Sequence, residues 1–456
     1  MLHEGWCMAP RGVRGRRAKR ALAAIALGLS ALLLAGCGSG AGGARVAAIG
    51  AEAGDRMPDA TAKQLQDALD NAVKLSGGSG GIAGVWAPWA GTWTAASGTE
   101  SRDKGAAPMN LDSSFRIGSI TKTATCTVLL KLAEAGKVRL DDEVSTYLPR
   151  MVGLNGLTLG ALCQNTSGFA DYWNGLAPQM VTNPGRSWDA VELINSGLGQ
   201  ARVGAPGQTW SYSNAGFVLL GLALQTATHT SWQSLYTSYV TGPLGIDETT
   251  TLPTGTKLPS PAPIGYAADR DPVTGATNCS VLDNDTALSP SALQQAGGLV
   301  SDLDDTASLV HAVAAGSLLA KGGSAQQQKV VNMSDAMPSW AQYGLGVEKM
   351  GPLIGHASAV PGFATAAYSD PKSGLTVVVM VNNSTPGANF ARLVALQLAS
   401  IGSKAPAGAG HTQPAIGLPW TADQLAAVLP SETGCNAAAA PADPALAAIA
   451  SIGPDY

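Results

Sequence analysis

The sequence predicts an α/β fold of the α+β kind: an antiparallel sheet built from both chain ends and flanked by helices, with a mostly helical lobe inserted between. Three observations point there. Two extended stretches, residues 82–87 and 92–97, flank a turn that contains Pro88. Four more, at 343–347, 354–357, 365–368 and 375–381, are separated by Gly, Pro and Asp, and runs with helical spacing fill the long interval between the two sets. At 456 residues and 45% hydrophobic the chain has ample core for one two-lobed body or two domains. Its 56 Gly and 27 Pro stay below the level that argues for disorder.

The first 36 residues read as an export leader. Arg11, Arg14, Arg16, Arg17, Lys19 and Arg20 precede an uncharged apolar run over 21–36, which is shorter than the ~20 residues a spanning helix wants. The run ends in Leu34-Ala35-Gly36-Cys37, which is similar to a bacterial lipobox. That likeness implies cleavage before Cys37 and a diacylglyceryl group on its sulfur, so the expected location is the outer face of the cell membrane, with Cys37 as the lipid anchor. Residues 1–36 are then the lipoprotein signal peptide, 37–58 a small polar tether, 59–403 the main body and 404–456 an Ala/Pro/Gly-rich C-terminal extension. Losing the leader removes six of 28 basic and one of 32 acidic side chains, leaving 22 against 31. With that balance and no basic tract, no nucleic-acid partner is expected.

Beyond Cys37 the expected mature chain carries Cys126, Cys163, Cys279 and Cys435. None has metal-ligand spacing, and an even number in an exported chain points to two disulfides, with three pairings open.

Taken in order, a helix is expected over 59–73 behind Asp59 as its cap, followed by the 82–97 hairpin. The small and apolar run 121–133 makes a buried helix that opens at Ser119 and ends near Gly136. Short helical or turn segments over 140–149 lead to an apolar helix at 158–163, closed by Asn165-Thr166-Ser167-Gly168. Pro206-Gly207 introduces a strongly apolar helix over 215–227, and another covers 232–239 and stops at Gly242-Pro243. The span 250–290 is rich in Pro, Thr, Gly and Asp and reads mostly as loop. Helices resume around 292 and over 304–314, and after the late strands a helix over 389–399 packs on them. The tail holds one further helix, 421–428, and Cys435 would staple it to the body.

Ser119 and Lys122 stand at i and i+3, side by side in a first helical turn where free backbone N–H groups favour negative charge. A lysine that gives up or shares its proton there activates the serine for attack on a carbonyl. The spacing alone is weak. Ser101/Lys104 lies in a charged loop and Ser369/Lys372 spans Asp370-Pro371, and the plainer reading of Ser119 is a cap beside a solvated lysine. The leaving group also needs a proton partner. His229, His311 and His411 read as structural and His3 lies in the leader, whereas His356 stands in a strand. Two Tyr-x-Asn triplets compete, Tyr172-Trp173-Asn174 and Tyr212-Ser213-Asn214. The second sits at a loop-to-helix junction, better placed to face a cleft. No Gly-x-Ser-x-Gly elbow surrounds Ser119, which argues against a Ser-His-Asp triad. No motif implies a metal or an organic cofactor.

Ser119-x-x-Lys122, Tyr212-Ser213-Asn214 and a late-strand His356 triplet, in that order, resemble the serine hydrolases that include class C β-lactamases and D-alanyl-D-alanine carboxypeptidases. Phe115-Arg116-Ile117-Gly118, Asn165-Thr166-Ser167-Gly168, Gly297-Gly298-Leu299-Val300-Ser301 and Pro361-Gly362-Phe363 agree, and the likeness covers roughly residues 59–400. It implies a β-lactamase/transpeptidase-like fold. It also implies Ser119 as the acylated nucleophile, Lys122 as its base and Tyr212 as the proton relay. Asn214 would orient substrate and Lys122, His356 and Ala359 would contribute to substrate binding, and the N–H groups of Ser119 and Ala359 would form the oxyanion hole. Because the serine helix of such proteins packs near the segment matching Leu162-Cys163, the likeness pairs Cys126 with Cys163 and leaves Cys279 with Cys435. The implied substrates are small molecules: cell-envelope peptidoglycan peptides or β-lactam-like compounds. Small esters are the alternative, and a penicillin-binding-like protein without turnover is a further one.

The third motif departs from the family. Lys or His, often Thr, then Gly is usual there, and this chain has His356-Ala357-Ser358. Ser358 adds a side chain where glycine leaves room, and Ala357 and Ala359 lack the hydroxyls with which carboxypeptidase-like relatives hold a substrate carboxylate. A missing hydrogen bond to a charged group costs about 1.5 to 3 kcal/mol, enough to weaken such recognition at least tenfold while sparing the nucleophile.

Overall fold

Strand pairing shows why both chain ends are needed. In the computed structural model, which describes residues 56–270 and 277–435, β1 (Gly80–Ala87) and β2 (Gly91–Gly98) form the early hairpin. Two separate strand pairs lie in the middle of the chain: β3 (Phe115–Arg116), β4 (Tyr266–Arg270), β5 (Thr277–Asn284) and β6 (Val300–Ser301), with β3 on β6 and β4 on β5. The late strands are β7 (Val331–Asn332), β8 (Ala341–Tyr343), β9 (Glu348–Met350), β10 (Leu353–Val360), β11 (Phe363–Ser369) and β12 (Thr376–Val381). β1 pairs antiparallel with β12, giving one eight-stranded sheet in the order β2-β1-β12-β11-β10-β9-β8-β7. The leader with Cys37, most of the tether and residues 436–456 lie outside the described residues.

Helix α1 (Asp59–Ser76) precedes the sheet, and Asp59 is its first helical residue, with Pro58 in the cap position instead. The inserted lobe holds α2 (Thr121–Glu134), α3 (Val144–Tyr147), α4 (Leu159–Cys163), α5 (Trp173–Thr182), α6 (Ala190–Leu198), α7 (Asn214–Thr228) and α8 (Trp232–Tyr236). A π turn at Thr237–Thr241 continues α8 into α9 (Gly242–Leu244), and α10 (Gln294–Gly297), α11 (Leu303–Ala315) and α12 (Lys321–Gln327) follow. After the sheet come α13 (Gly387–Gly402) and α14 (Ala422–Val428). Among the described residues no helix is long and apolar enough to cross a membrane.

Both faces of the sheet are covered, so its strands are apolar on both sides. Along β1, Ile82 and Trp86 join the core shared with α2, α7 and α11, while Ala83, Val85 and Ala87 join the core shared with α1 and α13. The same alternation divides β10. Ile354 and Val360 face the helical lobe, and Leu353, Ala357 and Ala359 face α1 and α13.

The structure adds elements that composition hides. The 250–290 span carries the β4/β5 hairpin, whose second strand is almost wholly exposed. Helix α5 contains Pro178 and Gly175, both poor helix formers, yet it forms against the lobe. The extension also packs on the body as far as residue 435. Trp420 is buried with its indole N–H donating to Leu396 O at 3.3 Å, the Trp89 indole donates to Ala405 O at 3.0 Å, and Leu425, Val428 and Leu429 join the α13 core. A disulfide links Cys279 in β5 to Cys435.

Candidate active site

The serine sits on a tight turn. A single 3-10 turn, Gly118–Ile120, precedes α2, so Ser119 lies just before the α-helix instead of opening it. Gly118 has φ +47°, and a Cβ there would stand 2.0 Å from Ser358 Oγ and 2.7 Å from Val360 Cγ1, so only glycine lets the turn approach β10 this closely. The turn is tied down from the other side by β3, which pairs with β6, and by the Leu299 N–H, which donates to Thr121 Oγ1 at 3.1 Å.

One helical turn on, Lys122 is 0% exposed. Its ammonium has three protons and meets three acceptors: Ser119 Oγ at 3.0 Å, Asn214 Oδ1 at 2.7 Å and the Ala296 carbonyl of α10 at 2.7 Å. Burial lowers its pKa to about 7, against the pull of Asp171 and Glu348, which raises it. Near neutral pH the amine is therefore present in both forms, and its neutral form has a lone pair to receive the Ser119 proton. The Tyr212 hydroxyl donates to the same Ser119 Oγ at 2.5 Å, and the Lys122 nitrogen lies 4.6 Å from the Tyr212 ring centroid. Trp210 packs tilted against both Tyr212 and Tyr343, forming an aromatic wall beside the nucleophile.

Asn214 opens α7, where Ser213 is the cap and accepts the Gly216 N–H at 3.1 Å. The Ser213 N–H in turn donates to Asn165 Oδ1 at 3.1 Å, so the Asn165 segment holds the tyrosine loop in register. The Asn214 amide is oriented by a residue that sequence reasoning missed. Its Nδ2 donates to Asp171 Oδ2 at 2.8 Å, which fixes its oxygen toward Lys122. Burial pushes the Asp171 carboxyl up, opposed by Asn214 and Lys122. The competing tyrosine, Tyr172, is buried and donates to Ala292 O at 2.8 Å.

His356 stands behind Tyr212, ring centroids 6.3 Å apart, and is 1% exposed. Its Nδ1 lies 2.6 Å from Ala357 O, an acceptor only, so Nδ1 carries the proton and Nε2 accepts from the Tyr343 hydroxyl at 3.1 Å. Burial lowers its pKa to about 4, with Glu348 3.6 Å away opposing, so the ring is neutral. Glu348 is held at about 2 although burial opposes its charge, because Arg392 donates to both of its oxygens, at 3.0 and 2.8 Å, and Tyr368 donates as well.

β9 pairs with β10 only over Leu353 to Gly355, so beyond His356 that edge of β10 is open. The Pro361-Gly362 turn makes Val360 and Phe363 a hydrogen-bonded pair, and the antiparallel alternation then aims the backbone groups of Ala357 and Ala359 at the open edge. Ser358 is different. Its side chain points at the serine turn, and its Oγ accepts the Ser119 N–H at 2.7 Å. A disulfide joins Cys126 of α2 to Cys163 of α4, one turn beyond Lys122. Among the described residues no cluster of His, Cys, Asp or Glu is arranged to hold a metal.

Residues 65–400 match the family model described as Beta-lactamase. A D-aminopeptidase of Cereibacter sphaeroides is 29% identical over 360 residues, covering 76% of this chain and 64% of that protein. The D-alanyl-D-alanine-carboxypeptidase/endopeptidase AmpH of Escherichia coli is 36% identical over 149 residues, 31% of this chain and 38% of its own length. Among solved structures, a D-stereospecific amidohydrolase from a Streptomyces species is 28% identical, covers 72% of this chain and 95% of its own, and superposes with a TM-score of 0.62. The chain thus spans less than two thirds of the D-aminopeptidase it matches.

Proposed function

Because the chain belongs to the Beta-lactamase family, we propose that it is a serine hydrolase that acylates Ser119 and cleaves amide bonds next to D-amino acids in cell-envelope peptides. One observation carries the reading: a buried lysine with pKa about 7 and a tyrosine hydroxyl converge on one serine oxygen, at 3.0 and 2.5 Å. Neutral Lys122 takes the Ser119 proton as Oγ attacks the carbonyl carbon. The oxyanion is received by the N–H groups of Ser119 and Ala359, the second aimed at the open edge of β10. Tyr212 then passes its proton to the leaving amine and takes back the one that Lys122 accepted from Ser119, the Lys122 nitrogen lying beside its ring. Water attacks the acyl group by the same steps in reverse, regenerating Ser119.

The preference for D-configured amides is supported by the relatives, which include a D-aminopeptidase and a D-stereospecific amidohydrolase. Small esters are a second reading, favoured by Ala357 and Ala359, which present no hydroxyl for a substrate carboxylate and turn their side chains toward α1 and α13. Export and lipid anchoring at Cys37 belong to the same proposal and are supported by the leader and the Leu34-Ala35-Gly36-Cys37 sequence. Parallel assays with D-alanine and L-alanine p-nitroanilides, p-nitrophenyl acetate and a chromogenic cephalosporin test it. Turnover of the D-anilide above the L-anilide is expected. Ester turnover alone would replace the peptide reading with the esterase one, and silence with all four would remove the hydrolase.

A further inference from the structure

We propose that the Ser358 hydroxyl is an internal occupant of the oxyanion hole, a gate that an acyl donor must displace before Ser119 is acylated. The inference rests on the acyl-enzyme reading above and assigns a function to the residue that replaces the family's usual glycine.

Its basis is position. Oxyanion-hole donors lie 2.7–3.1 Å from the oxygen they stabilise, and Ser358 Oγ stands 2.7 Å from the Ser119 nitrogen, on the receiving end of its N–H. It therefore holds the place the substrate oxygen needs. Two further features show that this placement is built in. The alternation of β10 puts Val360 in the core beneath the serine turn and Ala357 and Ala359 in the opposite core, so Ser358 faces the turn by register. The turn also makes room for the hydroxyl: Gly118 has no Cβ, and one there would meet Ser358 Oγ at 2.0 Å. Ser119 and Ser358 are 2% and 1% exposed, so the hydroxyl satisfies a buried N–H in the resting state.

The exchange involves no covalent change in Ser358. Rotation about its Cα–Cβ bond releases the N–H, and the carbonyl oxygen takes it up as the bond from Ser119 Oγ forms. A neutral hydrogen bond is replaced by a charge-assisted one, so the handover is driven by charge growing on the substrate oxygen. In the acyl-enzyme the ester carbonyl already holds the N–H. The gate therefore slows acylation and leaves deacylation alone.

The test uses the full chain with p-nitrophenyl acetate in stopped flow, comparing wild type, Ser358→Ala, Ser358→Gly and Ser119→Ala. Thermal melts show that each is folded, and Ser358→Ala keeps the Cβ and the strand. The second-order acylation constant should rise at least tenfold in both Ser358 variants, about 1.4 kcal/mol off the barrier, with the deacylation constant unmoved. Equal constants in folded variants would overturn the proposal. So would slower acylation, which would make the hydroxyl a donor to the oxyanion. If neither the ester nor a fluorophosphonate acylates Ser119 in wild type or variants, the acyl-enzyme reading itself fails and this inference falls with it.

Discussion

Replacing Asp171 by Asn removes a charge and keeps a hydrogen-bond acceptor, which isolates what the carboxylate does for Lys122. The lysine reaches Asn214 Oδ1 at 2.7 Å, and across that amide Nδ2 reaches Asp171 Oδ2 at 2.8 Å. The two charges thus lie about 7 Å apart, and at an effective dielectric near 20 their attraction is roughly 2 kcal/mol, somewhat more than one pH unit. Burial sets Lys122 at about 7 while Asp171 raises it. The base is the neutral amine, so wild-type kcat/KM should rise with pH through about 7. Without the Asp171 charge the neutral form is favoured, and the acid limb should move to lower pH by about one unit. Asp171→Ala removes the acceptor as well, frees the Asn214 amide to turn its N–H groups toward the ammonium, and should lower the plateau about 10- to 100-fold. The assay is kcat/KM for p-nitrophenyl acetate from about pH 5 to 9. An acid limb that stays in place in Asp171→Asn, or moves up, would refute this coupling.

Other consequences follow from the same contacts. His356 has a folded pKa near 4, below its unfolded value, so the unfolded chain takes up the proton first. Stability should be complete above about pH 6.5 and fall by about 3 kcal/mol as pH drops toward 4, and Tm measured against pH should lose that slope in His356→Asn. Cys126 and Cys163 close a span of 37 residues, and Cys163→Ser paired with Cys126→Ser should cost about 4 kcal/mol on the chain-entropy account, read from denaturant midpoints. Gly118→Ala combines a positive φ with a Cβ 2.0 Å from Ser358 Oγ and 2.7 Å from Val360 Cγ1, and should cost about 1 to 3 kcal/mol of stability, read from denaturant midpoints. Cys37→Ala should abolish incorporation of an alkynyl fatty acid and release the chain from membranes in a fractionation experiment.

What was legible in the sequence was local or periodic. Ser119 and Lys122 are one helical turn apart, and their contact follows from helix geometry alone. The long sheet strands are marked by apolar runs between turn residues, although Gly80 and Gly98 blur their ends; the strand expected over 343–347 is instead the turn between β8 and β9, with only Tyr343 in a strand. The Tyr212 triplet was readable from its helix junction. Asp171 was not, because its importance comes from a hydrogen bond to a residue 43 positions away, and nothing near it in sequence marks it beyond the preceding Asn165-Thr166-Ser167-Gly168 turn. The direction of Ser358 was hidden for a related reason. Strand alternation limits it to two faces, but which face meets the serine turn depends on how β10 lies against a segment 239 residues earlier. Helix α5 was obscured by Pro178 and Gly175, and the β4/β5 hairpin by a second strand that buries almost nothing and so shows no alternation.

The central claim, a serine acylated through a lysine of lowered pKa, is tested most directly by intact-protein mass spectrometry of the full chain after exposure to benzylpenicillin and, separately, to p-nitrophenyl acetate. The account predicts a mass gain of one acyl group with the ester, mapped to Ser119, absent in Ser119→Ala, and forming faster as pH rises through about 7. A penicilloyl adduct at the same residue would extend the claim to β-lactam-like donors. An adduct that persists in Ser119→Ala, or a wild-type chain that takes up neither group, would contradict it.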